Sequence, residues 1–383
     1  MGMCDVYIND LGRFLPNAPV SNDEMEKILG MVGTRPSKAR KIVLRNNGIK
    51  SRYYAIDPEN GEISHSNAQM TALAVCDMAR NGRAIDEIET LICGTSSPDQ
   101  LMPSHAVMVH GELASPSCEV ASLSGICASG IQALKYGYMS VLSGQCEQAV
   151  VTGSELASAV MRETQFQPEI DSRLEGLEKN PMLTFGKDFL RWMLSDGAGA
   201  AWLQNRPNGD FPSLKIEWID IQSFANELPA CMYQGGAKMS DGQLRGYRNY
   251  SPEDWLNRSI LNVEQDVKLL DEHIIVTSTR ALSETIKKHG LDLDTVDYFL
   301  PHLSSEYFRE RLYQSYRDAG HHINMDRWFT NLTSVGNVGS ASIYLMLAEL
   351  FHSGRLENGQ KLLLMVPESG RFTMSFTLLT VVA

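Results

Sequence analysis

Ser122-Leu123-Ser124-Gly125-Ile126-Cys127-Ala128-Ser129-Gly130, followed by Ile131-Gln132-Ala133-Leu134-Lys135-Tyr136-Gly137-Tyr138-Met139, decides how this chain reads. A run of small and apolar residues ends in a tight Gly-Ile-Cys turn. It then opens a helix in which Ile131, Leu134, Tyr138, Met139 and Leu142 recur at helical spacing. Cys127 is therefore expected near a helix N-terminus, where unpaired backbone N–H groups and the macrodipole favour an anion. A thiol in that position is expected to ionise readily and to act as a nucleophile. Ser124, Gly125, Ala128 and Gly130 keep side-chain bulk away from the sulfur. The competing reading is a small buried hydrophobe, the commoner fate of a free cysteine.

Composition narrows the setting. A chain of 383 residues can bury one large core or two ordinary ones, and 43% hydrophobic with 21% charged residues is ordinary for a soluble globular protein. Seven cysteines (4, 76, 93, 118, 127, 146 and 231) are scattered without a C-x-x-C pair. That argues against a disulfide framework or zinc cluster and for a reducing compartment. Asp5 and Asp10 precede any apolar run, so no secretory signal is expected, and no stretch approaches the ~20 apolar residues of a membrane span. A cytoplasmic protein with no membrane partner follows. A net charge of −12 makes nucleic acid a poor partner. One segment runs against that balance: Lys27 to Ile56 holds no acid, while Arg35, Lys38, Arg40, Lys41, Arg45, Lys50 and Arg52 are basic. Such a patch can receive a phosphate or an acidic carrier protein, although a solvated helix face reads the same way.

Along the chain, strands alternate with helices. Residues 3–12 and Ile88–Cys93 read as strands, Asn67–Arg80 as a helix, and Gln148–Thr152 as a β-branched strand ending in Gly153-Ser154-Glu155. Residues 161–190 are polar and irregular and read as an insertion. Asn205 to Pro212 is the best boundary, giving halves 1–208 and 209–383. Beyond it, Leu214–Ile221 reads as a strand, Pro252–Lys288 as largely helical, Val296–Leu300 as a buried strand and Tyr307–Ala319 as a helix. Ala341–Phe351 is another helix, and Lys361–Val366 and Met374–Val382 are closing strands. Buried strands alternating with helices predict a layered α/β protein, and the repeated pattern predicts a duplication.

Three polar residues fall where strands give way to turns. His302 follows Val296–Leu300, Asn337 lies in Ser334-Val335-Gly336-Asn337-Val338-Gly339-Ser340, and Gly370 lies in Pro367-Glu368-Ser369-Gly370-Arg371-Phe372. Ligands of open α/β sheets gather at such carboxyl ends. A structural histidine and a left-handed turn asparagine are the bland alternatives. With a helix-opening cysteine, the set reads as a site.

These segments, in this order and spacing, resemble 3-ketoacyl-[acyl carrier protein] synthase III, a condensing enzyme of the thiolase-like fold. Asn47-Gly48-Ile49-Lys50-Ser51-Arg52, Gly94-Thr95-Ser96-Ser97-Pro98, Val151-Thr152-Gly153-Ser154 and Asp196-Gly197-Ala198-Gly199-Ala200 add to the likeness, which runs from about residue 5 to 383. The papain-like Cys–His–Asn alternative needs Cys-Gly-x-Cys-Trp, which is absent. The resemblance implies a duplicated five-layer α-β-α-β-α architecture and a homodimer. It also implies thioesters of acyl carrier protein or coenzyme A as substrates, and no metal or redox cofactor. Cys127 would carry the acyl group as a thioester. His302 and Asn337 would hold the extender's carbonyl oxygen while an enolate forms, and the backbone N–H groups of Cys127 and Gly370 would form an oxyanion hole.

Two departures bear on specificity. Where initiating members of that family carry a Trp and an Arg that clasp coenzyme A, this chain has Ile42 and Asn46, with Arg45 adjacent. That favours carrier-protein substrates, with Arg45, Lys50 and Arg52 as the carrier or phosphopantetheine contacts. Glu155, the 161–190 insertion and the Phe185–Ala200 stretch are similar to ketosynthase/cyclases of dialkylresorcinol-type pathways, which condense β-ketoacyl thioesters and close a cyclohexanedione ring. A buried Glu155 could serve as the second base, or as a structural hydrogen-bond acceptor. The alternatives are a fatty-acid-initiating synthase, an acyltransferase to an alcohol or amine on the same fold, and a silent partner subunit. The retained Cys127 argues against the last of these.

Overall fold

The computed structural model describes residues 5–32, 40–172, 187, 189–209 and 212–382. The first half contains β1 (Tyr7–Phe14), α1 (Asn67–Ala79), β2 (Thr90–Thr95), α2 (His105–Leu113), β3 (Glu119–Ser124), α3 (Ala128–Leu142), β4 (Gln148–Glu155) and β5 (Gly197–Gln204). The second contains β6 (Ser213–Ser223), α4 (Val267–His289), β7 (Tyr298–Pro301), α5 (Arg309–Asp318), α6 (Ser342–Phe351), β8 (Lys361–Glu368) and β9 (Thr373–Val382).

Among the described residues, these nine strands form one sheet in the order β7-β8-β9-β6-β1-β5-β4-β2-β3. The duplication is visible in that order. Counting strands within the first half, the order reads third-second-fourth-fifth-first, and the four strands of the second half, numbered by their counterparts in the first, read second-fourth-fifth-first. β4 pairs in parallel with β2, as β8 does with β7; β3 adds to β2 in parallel, and the remaining neighbours within each half are antiparallel. Trp328 makes a single parallel bridge to Phe299, where the second half's third strand would lie. The halves join where β1 meets β6, Tyr7 opposite Lys215 and Ile8 opposite Leu214.

Most strand residues are buried and apolar, the edge strand β3 being partly exposed. α1 and α2 cover one outer face through Met70, Val75, Met78 and Val109. α3 and α6 fill the space between the halves, with Ile131, Leu134, Ile343 and Leu347 against Ile8, Leu203, Leu364 and Leu379. α4 and α5 cover the other outer face, placing Ile274, Leu282, Leu312 and Tyr316 on Phe299, Met365 and Phe376. Five layers result, as the thiolase-like resemblance implied.

Local chemistry sets the helix starts. Ser66 caps α1 in a full capping box with Gln69, and Asp266 accepts the Leu269 N–H to start α4. The helix expected over Pro252–Lys288 is broken. A short helix Pro252–Asn257 stops at Ser259, which has a left-handed φ of 45°, and Glu264–Gln265 then pairs with Met232–Tyr233. Of the 161–190 insertion, the described part carries short helices at Ser158–Met161 and Gln167–Ser172, while residues 173–186 and 188 lie outside the described residues. Arg35 and Lys38 also lie outside them. No helix among the described residues is long and apolar enough to cross a membrane.

Candidate active site

The two halves bring the loops at the carboxyl ends of their strands together. Cys127 immediately precedes α3, His302 follows β7, and Asn337 lies on the turn leading to α6. All three line one cavity. Its walls are largely apolar, with Met193, Leu270, Ile274, Phe308, Leu312 and Met365 among them. Met232, Gln234, Val263 and Gln265, from the segment between β6 and α4, close part of it.

Each polar group is held in a definite state. His302 donates its backbone N–H to Met365 O at 2.8 Å, while its Nε2 is buried with no partner among the described residues. Burial pushes the imidazole down to about 4, so at neutral pH the ring is uncharged. Asn337 donates its backbone N–H to Met193 O at 3.1 Å, and its Oδ1 accepts the Gly339 N–H at 3.0 Å. That bond fixes the amide and leaves its Nδ2 hydrogens as the donors it can present. Gly339 makes the turn possible: its φ is +49°, and a Cβ there would meet Glu155 Oε1 at 2.8 Å.

Cys127 is placed as the sequence implied, but its ionisation differs. The thiol is pushed well above its usual range, first by burial, then by the carboxylates of Glu368 and Glu155. The easily ionised thiol expected from the helix N-terminus is thus corrected. Beyond burial, the reason lies in who holds the N-terminal donors: Glu368 Oε2 accepts the N–H groups of both Ile126 and Ala128 at 3.0 Å. The helix end has its anion already. Glu368 was visible in the sequence only as the acid in Pro367-Glu368-Ser369-Gly370, a turn read for its glycine. Gly370 does pack on the nucleophile turn, since a Cβ there would meet Ile126 Cδ1 at 2.9 Å.

Glu155 also borders the cavity. It is buried, with Ser96 Oγ and Ser97 Oγ donating at 2.5 and 2.8 Å and the Ser340 N–H at 3.1 Å. Burial raises its carboxyl above the ordinary range, against the lowering by these bonds.

The comparisons with known proteins follow this geometry. Residues 286–378, which include His302, Asn337 and Gly370, match the family described as 3-oxoacyl-[acyl-carrier-protein (ACP)] synthase III C terminal. Beta-ketoacyl-[acyl-carrier-protein] synthase III of Chlorobaculum tepidum is 22% identical over 93% of this chain and 94% of its own. The enzyme of the same name from Anaplasma marginale is 24% identical over 92% of each. The chain is similar to synthase III over most of its length. Among solved structures, AbyA1, described as a tetronic acid condensing enzyme, aligns at TM-score 0.74 and 19% identity, covering 98% of this chain and 99% of that one. OleA of Xanthomonas campestris aligns at TM-score 0.73 with 18% identity over 99% and 98%. The synthase III FabH of Pseudomonas aeruginosa aligns at 0.70 with 17% identity over 98% of each. These likenesses are of fold.

The basic patch expected from the sequence divides. Arg45 and Lys50 are exposed. Arg52 is fully buried, donating to Trp192 O at 2.5 Å and to Asn22 Oδ1 at 2.6 Å. As a carrier contact it is corrected: the guanidinium is spent inside the protein on the Trp192 carbonyl and Asn22. Among the described residues, no group of three or more His, Cys, Asp or Glu is arranged to hold a metal ion.

Proposed function

We propose that this chain is a ketosynthase that forms a carbon–carbon bond by Claisen condensation of acyl or β-ketoacyl thioesters through an acyl-Cys127 intermediate. The observation that carries this reading is the convergence of Cys127, His302 and Asn337 on one apolar cavity. Cys127 takes the acyl group from its thioester and the carrier thiol departs. A neutral His302 Nε2 and the Asn337 amide donate to the second thioester's carbonyl oxygen. Charge develops on that oxygen as the enolate forms, and neutral donors already in place stabilise it most where water is excluded. The enolate carbon then attacks the acyl-Cys127 carbonyl, and the backbone N–H groups of Cys127 and Gly370 are the donors we assign to the resulting oxyanion.

The apolar lining of the cavity favours a hydrocarbon acyl chain. Exposed Arg45 and Lys50 favour an acidic carrier protein as the thioester donor, and a homodimer is part of the proposal. A second reading adds ring closure to a cyclohexanedione, as in dialkylresorcinol-type synthesis. Glu155, a cavity-lining carboxylate with its pKa raised by burial, favours it as the second base. Incubation with a panel of acyl and β-ketoacyl carrier-protein thioesters, with products read by mass spectrometry, tests both readings. Linear β-keto products support condensation and ring products support cyclisation. Acyl esters or amides of an added alcohol or amine would overturn both.

A further inference from the structure

The carboxylates that end the fourth strand of each half cross over. Glu155 ends β4 of the first half and accepts the Ser340 N–H, in the turn that opens α6 of the second. Glu368 ends β8 of the second half and accepts the Ile126 and Ala128 N–H groups, at the start of α3 of the first. Each half thus supplies the anion that the other half's central helix attracts. The two carboxylates differ in what they face. Glu155 lines the cavity, where a substrate can meet it. Glu368 is not part of the lining; it lies behind the nucleophile turn, with Gly125 close enough that a Cβ there would be 3.5 Å from its Oε2.

We propose that Glu368 is a positioning residue that fixes the Cys127 turn and keeps the Cys127 thiol protonated in the resting chain. Both of its backbone bonds converge on one oxygen, so the turn is clamped on either side of the nucleophile. The same bonds place a negative charge where the helix would otherwise favour a thiolate. The titratable groups around Cys127 are few. Glu155 from β4 adds a second negative charge, Glu368 from β8 adds the first, and His302 from β7 is neutral above about pH 4. None of them stabilises a thiolate. Thioester exchange balances without one at rest. The Cys127 sulfur bonds the acyl carbon, the carrier's carbon–sulfur bond breaks, and the thiol proton lost by Cys127 leaves on the carrier thiol. A resting thiol also reacts slowly with stray electrophiles, because the thiolate is the reactive form.

The inference rests on the reading of Cys127 as the acyl acceptor, and alkylation separates the two. Iodoacetamide would be reacted with the full chain across pH 6 to 10, and modification at Cys127 followed by peptide mass, so that the other cysteines do not contribute. Glu368→Gln is the informative variant, since an amide carbonyl oxygen can accept both N–H bonds and only the charge is removed. Its alkylation midpoint should move to lower pH, with the rate at pH 8 rising on the order of tenfold. Glu368→Ala removes charge and clamp together. It should show the same downward movement with a lowered melting temperature, and it stands in if the glutamine variant does not fold. An unchanged midpoint in either folded variant overturns the proposal. Failure of Cys127 to take an acyl group from any thioester overturns the acyl-acceptor reading instead, whatever the alkylation midpoint does.

Discussion

Glu155 accepts the backbone N–H of Ser340 at 3.1 Å, tying the end of β4 to the turn before α6 and so one half of the molecule to the other. Ser96 and Ser97 donate to the same carboxylate. Glu155→Ala leaves two hydroxyls and the backbone amides of Ser96 and Ser340 without their acceptor. It should cost about 2–4 kcal/mol of stability, read as a lower urea midpoint. Glu155→Gln retains an acceptor and tests the second role. Loss of ring product with linear condensation preserved assigns the cyclising base to Glu155. An equal fall in both products leaves Glu155 as a strut.

Cys127→Ala should give no acyl adduct by intact mass. His302→Ala and Asn337→Ala should still be acylated, because neither residue is needed to form the thioester on Cys127. Condensation in both should fall by about 10²–10³, the cost of one hydrogen-bond donor to a developing oxyanion. Full activity in Asn337→Ala would favour the acyltransferase alternative.

Two buried histidines should make the fold acid-sensitive. His302 and His105 are each pushed down to about 4 by burial, against an ordinary value of 6.5. Between those values the unfolded chain binds protons that the native chain refuses, so stability rises with pH across the window and falls on acidification. At pH 5 each ring should account for about 2 kcal/mol of lost stability relative to pH 7. Denaturant melts at the two pH values check this, and His302→Gln should remove one share of the difference.

Arg45 and Arg52 should behave oppositely, though they lie seven positions apart in one basic segment. Arg45→Glu should raise KM for a carrier-protein thioester several-fold, more at low salt, with the melting temperature unchanged. Arg52→Ala strips Trp192 O and Asn22 Oδ1 of a charged donor. It should lower stability by about 3 kcal/mol, without a salt-dependent change in KM.

The acyl cavity can be narrowed from α4. Ile274→Trp should depress activity on long-chain thioesters at least tenfold while sparing short ones. A uniform fall across chain lengths would place the acyl chain elsewhere.

Much of this was legible in the chain itself. A helix period beginning directly after Gly-Ile-Cys places a cysteine at a helix start whatever surrounds it. Apolar strands that alternate with helices require layers. His302 and Asn337 were found because each follows a strand or leads a helix, where the backbone turns and side chains are free to face a ligand. Arg35 and Lys38, read with the same basic segment, lie outside the described residues.

Tertiary structure decided the rest, because charge and hydrogen bonding depend on neighbours distant in the chain. Residues 242 positions apart determine that the Cys127 turn is clamped by Glu368, and its thiol is disfavoured as an anion by that carboxylate and by burial. Arg52 reads as a surface cation in a basic run, yet the carbonyl of Trp192 holds it inside. Local sequence fixed which elements form and which face each buries. Only the packing of the two halves could say which polar groups face the cavity, which are spent behind it, and in what protonation state each is held.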